Sequence, residues 1–162
     1  MKPSRVDDTI NNSSSQFVLF ICTGNYYRSR FAEAVFNHYA IQQRLPWRAF
    51  SRGLAIHLAA GDLSEHTALA LRLRGIERSL TGPTRVSLSE TDLLSAARII
   101  ALDDVEHRPL VREQFPTWEV SITFWSVPDI DRATVPQALA EIERRVQELR
   151  QAVALHNLRT AR

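Results

Sequence analysis

The first clear pattern in the chain is an apolar run, Phe17-Val18-Leu19-Phe20-Ile21, closed by Cys22. A short continuous run of this kind predicts a buried strand over 17–22. Phe31, Val35, Phe36 and Tyr39 then recur at helical spacing and predict a helix to about Gln43. Trp47 to Ser51 reads as a second strand. Ser64 stands where a helix cap belongs, and Gly75 where such a helix would end. Leu69, Leu71 and Leu73 alternate as a strand would, but the cap and the terminal glycine favour the helix. Ser89-Glu90-Thr91-Asp92 has the pattern of a capping box opening a short helix. Ile99 to Leu102 predicts a third strand, and Asp103 a cap for the helix after it. Val120 to Trp125 alternates as a fourth strand. Leu139, Ile142, Val146, Leu149 and Val153 line one face of a last helix, from about Val135 to His156.

The order is therefore β-α-β-α-α-β-α-β-α. Strands that alternate with helices predict an α/β fold: a single three-layer domain with a central four-stranded parallel sheet flanked by helices. Such sheets bind ligands beyond the C-terminal ends of their strands. Cys22, Ser51 and Trp125 lie at or near such ends, which brings the loop after residue 125 toward Cys22. The polar stretch 1–16, with Asn11-Asn12-Ser13-Ser14-Ser15, reads as a mobile tail. The domain is expected over 17–158, with a short C-terminal tail over 159–162.

Composition narrows the function classes. A chain of 162 residues with 44% apolar residues supports one domain with a proper core. A formal charge of +2 supplies no strong field for nucleic acid or a membrane surface. Lys2 is the single lysine, so the basic residues are nearly all arginine. A single cysteine excludes an intrachain disulfide, and no apolar run approaches a membrane span. A cytoplasmic protein is expected. His38, His57, His66, His107 and His156 show no ligand spacing with cysteine or carboxylates, so no metal and no cofactor is expected. The arginines of the last helix alternate with glutamates, Glu141 to Arg145 being a favourable i,i+4 pair, as on a solvated face.

The candidate chemistry lies where the first strand meets the first helix. Cys22 is followed by Thr23-Gly24-Asn25-Tyr26-Tyr27, then Arg28 and Ser29. Backbone N–H groups of a loop entering a helix point at an anion. A guanidinium grips a phosphate through two parallel hydrogen bonds. Free cysteine titrates near 8.5, and cationic surroundings at a helix start favour its thiolate. Gly24 suits a loop that approaches an anion closely, and Asn25 tolerates left-handed backbone. The pattern reads as phosphoryl transfer through a phosphocysteine. The bland reading is a buried inert cysteine and a solvated arginine; the strand–loop–helix setting favours the chemical one.

The segment FVLFICTGNYYRSRFAEAVFNHYA resembles the N-terminal signature of the low-molecular-weight protein tyrosine phosphatases. Cys22, Gly24, Asn25, Arg28, Ser29, Ala32 and Glu33 carry the resemblance. Ser51-Arg52-Gly53, Ile99-Ile100-Ala101-Leu102-Asp103 and Val127-Pro128-Asp129 extend it more thinly. It implies that fold, with Cys22 as nucleophile, Arg28 and Ser29 as its catalytic partners, Thr23 to Tyr27 as the phosphate-binding loop and Asp129 as general acid. Asp129 is favoured over Asp131 on this ground. Three departures matter. Ile130 and Asp131 stand where the family has proline and then tyrosine after the acid. Tyr27 fills the place of a second cysteine. Leu80 stands near where many relatives have a histidine that supports the loop asparagine, so Asn25 needs another partner. Tyr26 is expected either to wall the pocket or to pack on the neighbouring helix, and His57 to lie in the loop after the second strand, where the family builds a pocket wall.

The resemblance implies a hydrolase acting on phosphorylated protein, phosphotyrosine first, or on small phosphomonoesters. Relatives on this fold also reduce arsenate; with Cys22 alone this chain would need a small-molecule thiol for that. A non-catalytic phosphate- or phosphopeptide-binding module is the third class. Phosphoarginine is a less attractive substrate beside the bulky Tyr26.

Overall fold

A computed structural model describes residues 15–160. Four parallel strands, β1 (Gln16–Cys22), β2 (Trp47–Gly53), β3 (Arg98–Ala101) and β4 (Thr123–Phe124), lie in the order β2-β1-β3-β4. The helices are α1 (Arg28–Gln42), α2 (Glu65–Leu73), α3 (Glu90–Ser95), α4 (Asp104–Gln114) and α5 (Val135–Thr160). β1 is central. Its alternate side chains feed two cores: Val18, Phe20 and Cys22 pack toward α1, α2 and α5, while Leu19 and Ile21 pack with Leu93, Ile99 and Val111 on the other side. Covering helices on both faces explain why β1 is apolar without alternation.

The element order matches the expected one, and the differences are local. α5 runs to Thr160, into the expected C-terminal tail. The expected N-terminal tail falls outside the described residues except for Ser15 and Gln16, and Gln16 opens β1. The capping box forms, with the Asp92 N–H donating to Ser89 and the Ser89 N–H to Asp92. Ser64 sits at the N-cap of α2, but its side chain accepts no capping hydrogen bond.

The fourth strand is the main correction. Over Pro116–Ser121 the chain makes a 3₁₀ helix, and only Thr123–Phe124 form a strand. Proline at the start of that turn has φ preset for it and no N–H to place in a ladder. Val120, an expected strand residue, is 94% exposed. β3 is itself short and offers partners only at Ile100 and Ala101. The extended path nevertheless continues past β4: Trp125 N donates to Ala101 O at 2.9 Å and Val127 N to Leu102 O at 2.8 Å. Those two bonds carry the segment after residue 125 over the C-terminal edge of the sheet, where Cys22 ends β1.

Candidate active site

Cys22 ends β1, and Arg28 and Ser29 open α1. The link between them doubles back, so Cys22 Sγ lies 2.9 Å from Ser29 Oγ. The loop is fixed from several directions. Asn25 has φ 49, the left-handed geometry expected of it. Its Nδ2 donates to Ser29 Oγ (3.1 Å) and Ser51 Oγ (2.9 Å), and its Oδ1 accepts from Val86 N (2.9 Å). These are the partners that replace the missing histidine. Ser51 passes the chain on to buried Glu33, donating to Oε1 at 2.8 Å. Burial pushes the Glu33 carboxyl above its usual range, although Ser51, Thr81, the Gly82 N–H and Arg30 all pull the other way. Arg30, also buried, donates to Thr81 Oγ1 and to the carbonyls of Asp62 and Gly82.

Gly24 serves close approach rather than positive φ. A Cβ there would lie 2.9 Å from Ala59 Cβ. Behind the loop, a Cβ on Gly53 would meet Thr23 O at 2.9 Å and Asn25 Cβ at 3.0 Å. Backbone bonds from Leu54 N to Cys22 O (3.0 Å) and Ala55 N to Thr23 O (2.8 Å) close that contact. Those two carbonyls are thus taken up by protein. Among the described residues, no N–H from Thr23 to Tyr27 donates to a protein acceptor.

Arg28 is 3% exposed. Its Nη1 donates to Val127 O at 2.9 Å, and its Nη2 donates to Glu106 Oε2. Asp129 Oδ2 lies 3.7 Å from the same nitrogen. Burial works against the guanidinium charge, but Cys22, Glu106 and Asp129 together outweigh it and raise its pKa. Asp129 lines the cavity with a 42% exposed side chain. Asp131 is exposed and does not line it.

The cavity encloses about 950 Å³. Cys22, Thr23, Gly24 and Arg28 lie in its lining, with Tyr26, Tyr27 and His66 among its aromatic walls. Tyr26 both lines the cavity and packs on the core, so the two expectations for it meet in one place. Tyr27 is buried and its ring meets His66 edge-on at 6.2 Å. Burial, with Asp129 adding to it and Arg28 opposing, pushes the phenol up to about 12. His57 is exposed in the turn after β2; Leu58, Ala59 and Ala60 form the wall there instead.

Glu106 and His107 escaped the sequence reading. Glu106 Oε2 accepts from Thr23 Oγ1 (2.9 Å) as well as from Arg28. Burial raises its pKa, but contact with His107 and Arg28 outweighs this and holds it well below the usual carboxylate range. His107 is fully buried and lies directly behind Glu106. The available signal was position: α4 starts just past β3, so its first turn falls at the ligand-binding edge. Among the described residues no group of three or more His, Cys, Asp or Glu side chains is placed to hold a metal, and no helix is long and apolar enough to cross a membrane.

A family model described as low molecular weight phosphotyrosine protein phosphatase matches residues 17–157. Among solved structures, YfkJ from Bacillus subtilis superposes with a TM-score of 0.76 at 25% identity, over 90% of this chain and 98% of that one. A low molecular weight protein tyrosine phosphatase from T. tengcongensis gives 0.73 at 25% identity, over 85% and 99%. The YwlE arginine phosphatase from Geobacillus stearothermophilus gives 0.71 at 23% identity, over 89% and 96%, a likeness of fold. Comparison with curated protein sequences finds no significant match.

Proposed function

Since the chain belongs to the low-molecular-weight phosphotyrosine protein phosphatases, we propose that it hydrolyses phosphate monoesters through a phosphocysteine formed on Cys22. The observation that carries this is one constellation: a thiol on the Ser29 hydroxyl, an anchored guanidinium, loop N–H groups left without protein acceptors, and a carboxyl at the cavity wall. The Cys22 thiolate attacks phosphorus in line with the leaving oxygen. Arg28 and the loop amides hold the non-bridging oxygens, whose charge they are placed to stabilise. Asp129 protonates the leaving oxygen, then takes a proton from the water that attacks the phosphocysteine. The Ser29 hydroxyl donates to sulfur as it leaves in that second step.

The favoured substrate is phosphotyrosine in protein. Tyr26 offers a face for an aromatic ring, and Leu58, Leu110 and Ile130 give the mouth an apolar rim. The phosphotyrosine named in the family description supports the same choice. The named phosphatases among the neighbours do not favour arsenate reduction, and neither does the lack of a second thiol. No divalent ion enters the chemistry, and a cytoplasmic setting suits a single free thiol.

The test is hydrolysis of an aryl phosphate and a phosphotyrosine peptide, with arsenate plus a small thiol as the comparison. Hydrolysis is expected without added metal, with turnover by Cys22→Ser below detection and its phosphate binding retained. Substantial turnover by Cys22→Ser, or activity abolished by a chelator and restored by a divalent ion, would overturn the reading.

A further inference from the structure

The least expected group in the cavity is Glu106, a carboxylate placed inside an anion-binding site. One oxygen, Oε2, collects contacts from three parts of the chain. Arg28 Nη2 donates to it from α1, and Thr23 Oγ1 donates to it from the loop at 2.9 Å. His107 Nε2 lies 2.6 Å from it, a close but bent contact. The His107 ring is itself oriented: its Nδ1 accepts the Asp103 N–H at 2.9 Å, so the neutral ring carries its proton on Nε2, facing Glu106. Asp103 caps the same turn by accepting the Glu106 N–H at 3.2 Å. Glu106 is therefore fixed at backbone and side chain before any ligand arrives.

What this does to Arg28 follows from guanidinium geometry. Val127 O holds Nη1 and Glu106 holds Nη2, so two separate anchors set the plane. Nε donates to no group among the described residues. That leaves the Nε edge for a bidentate grip on an oxyanion. Such a grip needs its plane held within roughly 10–20°. A long side chain with one anchor would swing about it. The Thr23 hydroxyl is tied to the same oxygen, so the first loop residue and the cation share a reference point.

We propose that Glu106 is a positioning residue, aiming the Arg28 fork and fixing Thr23 for the phosphate of the substrate. The role rests on the phosphatase reading of this cavity, and the experiment separates the two. Turnover of an aryl phosphate is measured for wild type, Glu106→Ala and Glu106→Gln. Binding of inorganic phosphate is measured by calorimetry in the Cys22→Ser background, with and without each change at 106. Misplacing the guanidinium should lower kcat/KM of Glu106→Ala by about 10²-fold. Phosphate affinity of the Cys22→Ser/Glu106→Ala protein should fall by about tenfold, with unchanged circular dichroism. Glu106→Gln keeps an oxygen for Arg28 and should recover most of both losses; a merely structural carboxylate predicts no such recovery of phosphate affinity.

Phosphate binding as tight as, or tighter than, that of Cys22→Ser alone would overturn the proposal, because it would mean the carboxylate only competes with the anion. If Glu106→Ala does not fold, Glu106→Asp replaces it. The shorter carboxylate should weaken phosphate binding, and equal binding would overturn the proposal equally. If no ester is hydrolysed but phosphate affinity still tracks residue 106 as stated, the phosphatase reading fails while the positioning role stands.

Discussion

The two loops that meet at the cavity are built in opposite ways. The loop from Cys22 to Arg28 is tied by hydrogen bonds between Asn25 and three separate segments, and Arg30 next to it reaches two more. The loop that carries Asp129 is tied before it, by Val127, and turned after it, by bonds from Arg132 and Ala133 to Asp129 O. Among the described residues the Asp129 side chain accepts a hydrogen bond only from its neighbour Ile130 N, at 2.8 Å, and it otherwise stands partly in water. The contrast fits the proposed division of labour. A nucleophile and its anion cradle gain from being rigid before binding. A group that must first give a proton and then take one gains from access to water and room to shift.

That contrast predicts different costs. Asp129→Asn should lower kcat by about 10²–10³-fold, the range for losing a general acid, while leaving phosphate binding and melting temperature nearly unchanged. The loss should shrink for esters with good leaving groups, which need little protonation. A rate constant for Asp129→Asn close to wild type on a poor leaving group would remove Asp129 from the mechanism.

Asn25→Ala should cost less in rate and more in stability. It leaves Val86 N without its acceptor and strips the left-handed loop residue of its ties. A destabilisation of about 1–3 kcal/mol is expected from the orphaned donor alone, with kcat down about tenfold as the cradle loosens. Chemical denaturation and steady-state kinetics on the same preparation check both. A rate loss with unchanged stability would show that the loop holds its shape without Asn25.

The smallest effect is on pH dependence. Burial, with Arg28 adding to it and Glu106 opposing, holds His107 below its ordinary value of 6.5. As pH falls through that value the unfolded chain takes up a proton that the folded one refuses. Stability is therefore full above about pH 6.5 and declines below it. Glu106, also depressed, adds a decline of the same sign further into acid. The denaturation midpoint should fall from pH 7 to 5, and His107→Asn, which keeps an acceptor for the Asp103 N–H, should flatten that slope. An unchanged slope would place the proton uptake elsewhere.

The parts of the site legible in the sequence are those that lie together in it. Cys22, Gly24, Asn25, Arg28 and Ser29 occupy one strand, loop and helix start, and local periodicity places all three. The capping box at Ser89 and the cap at Asp103 are equally local, and both form. Glu106 acts across 78 residues to Arg28 and 83 to Thr23, and only its place in the first turn after β3 points to this; no motif does. Asp129 and Asp131 are alike as loop carboxylates; the resemblance at Val127-Pro128-Asp129 favours the first, and in the structure only Asp129 of the two lines the cavity. The fourth strand misled because alternation at Val120, Ile122 and Phe124 says which side chains prefer burial, not whether a partner strand is long enough to receive them. Val120 had none.

The start of α1 has a consequence for the energetics of the whole chain. Arg28, Ser29 and Arg30 open the helix buried, and its first turn holds no acidic residue. Two cations thus sit at the helix end that already carries partial positive charge. On the proposed function an oxyanion seated there compensates that charge only in the folded protein, which makes phosphate a folding ligand. At a hundred times its dissociation constant it adds about 2.7 kcal/mol to the unfolding free energy. The melting temperature is then a property of the solution as much as of the polypeptide. A variant that is intrinsically less stable but binds phosphate more tightly would overtake its partner in phosphate once the difference in ligand stabilisation exceeds the difference in intrinsic stability.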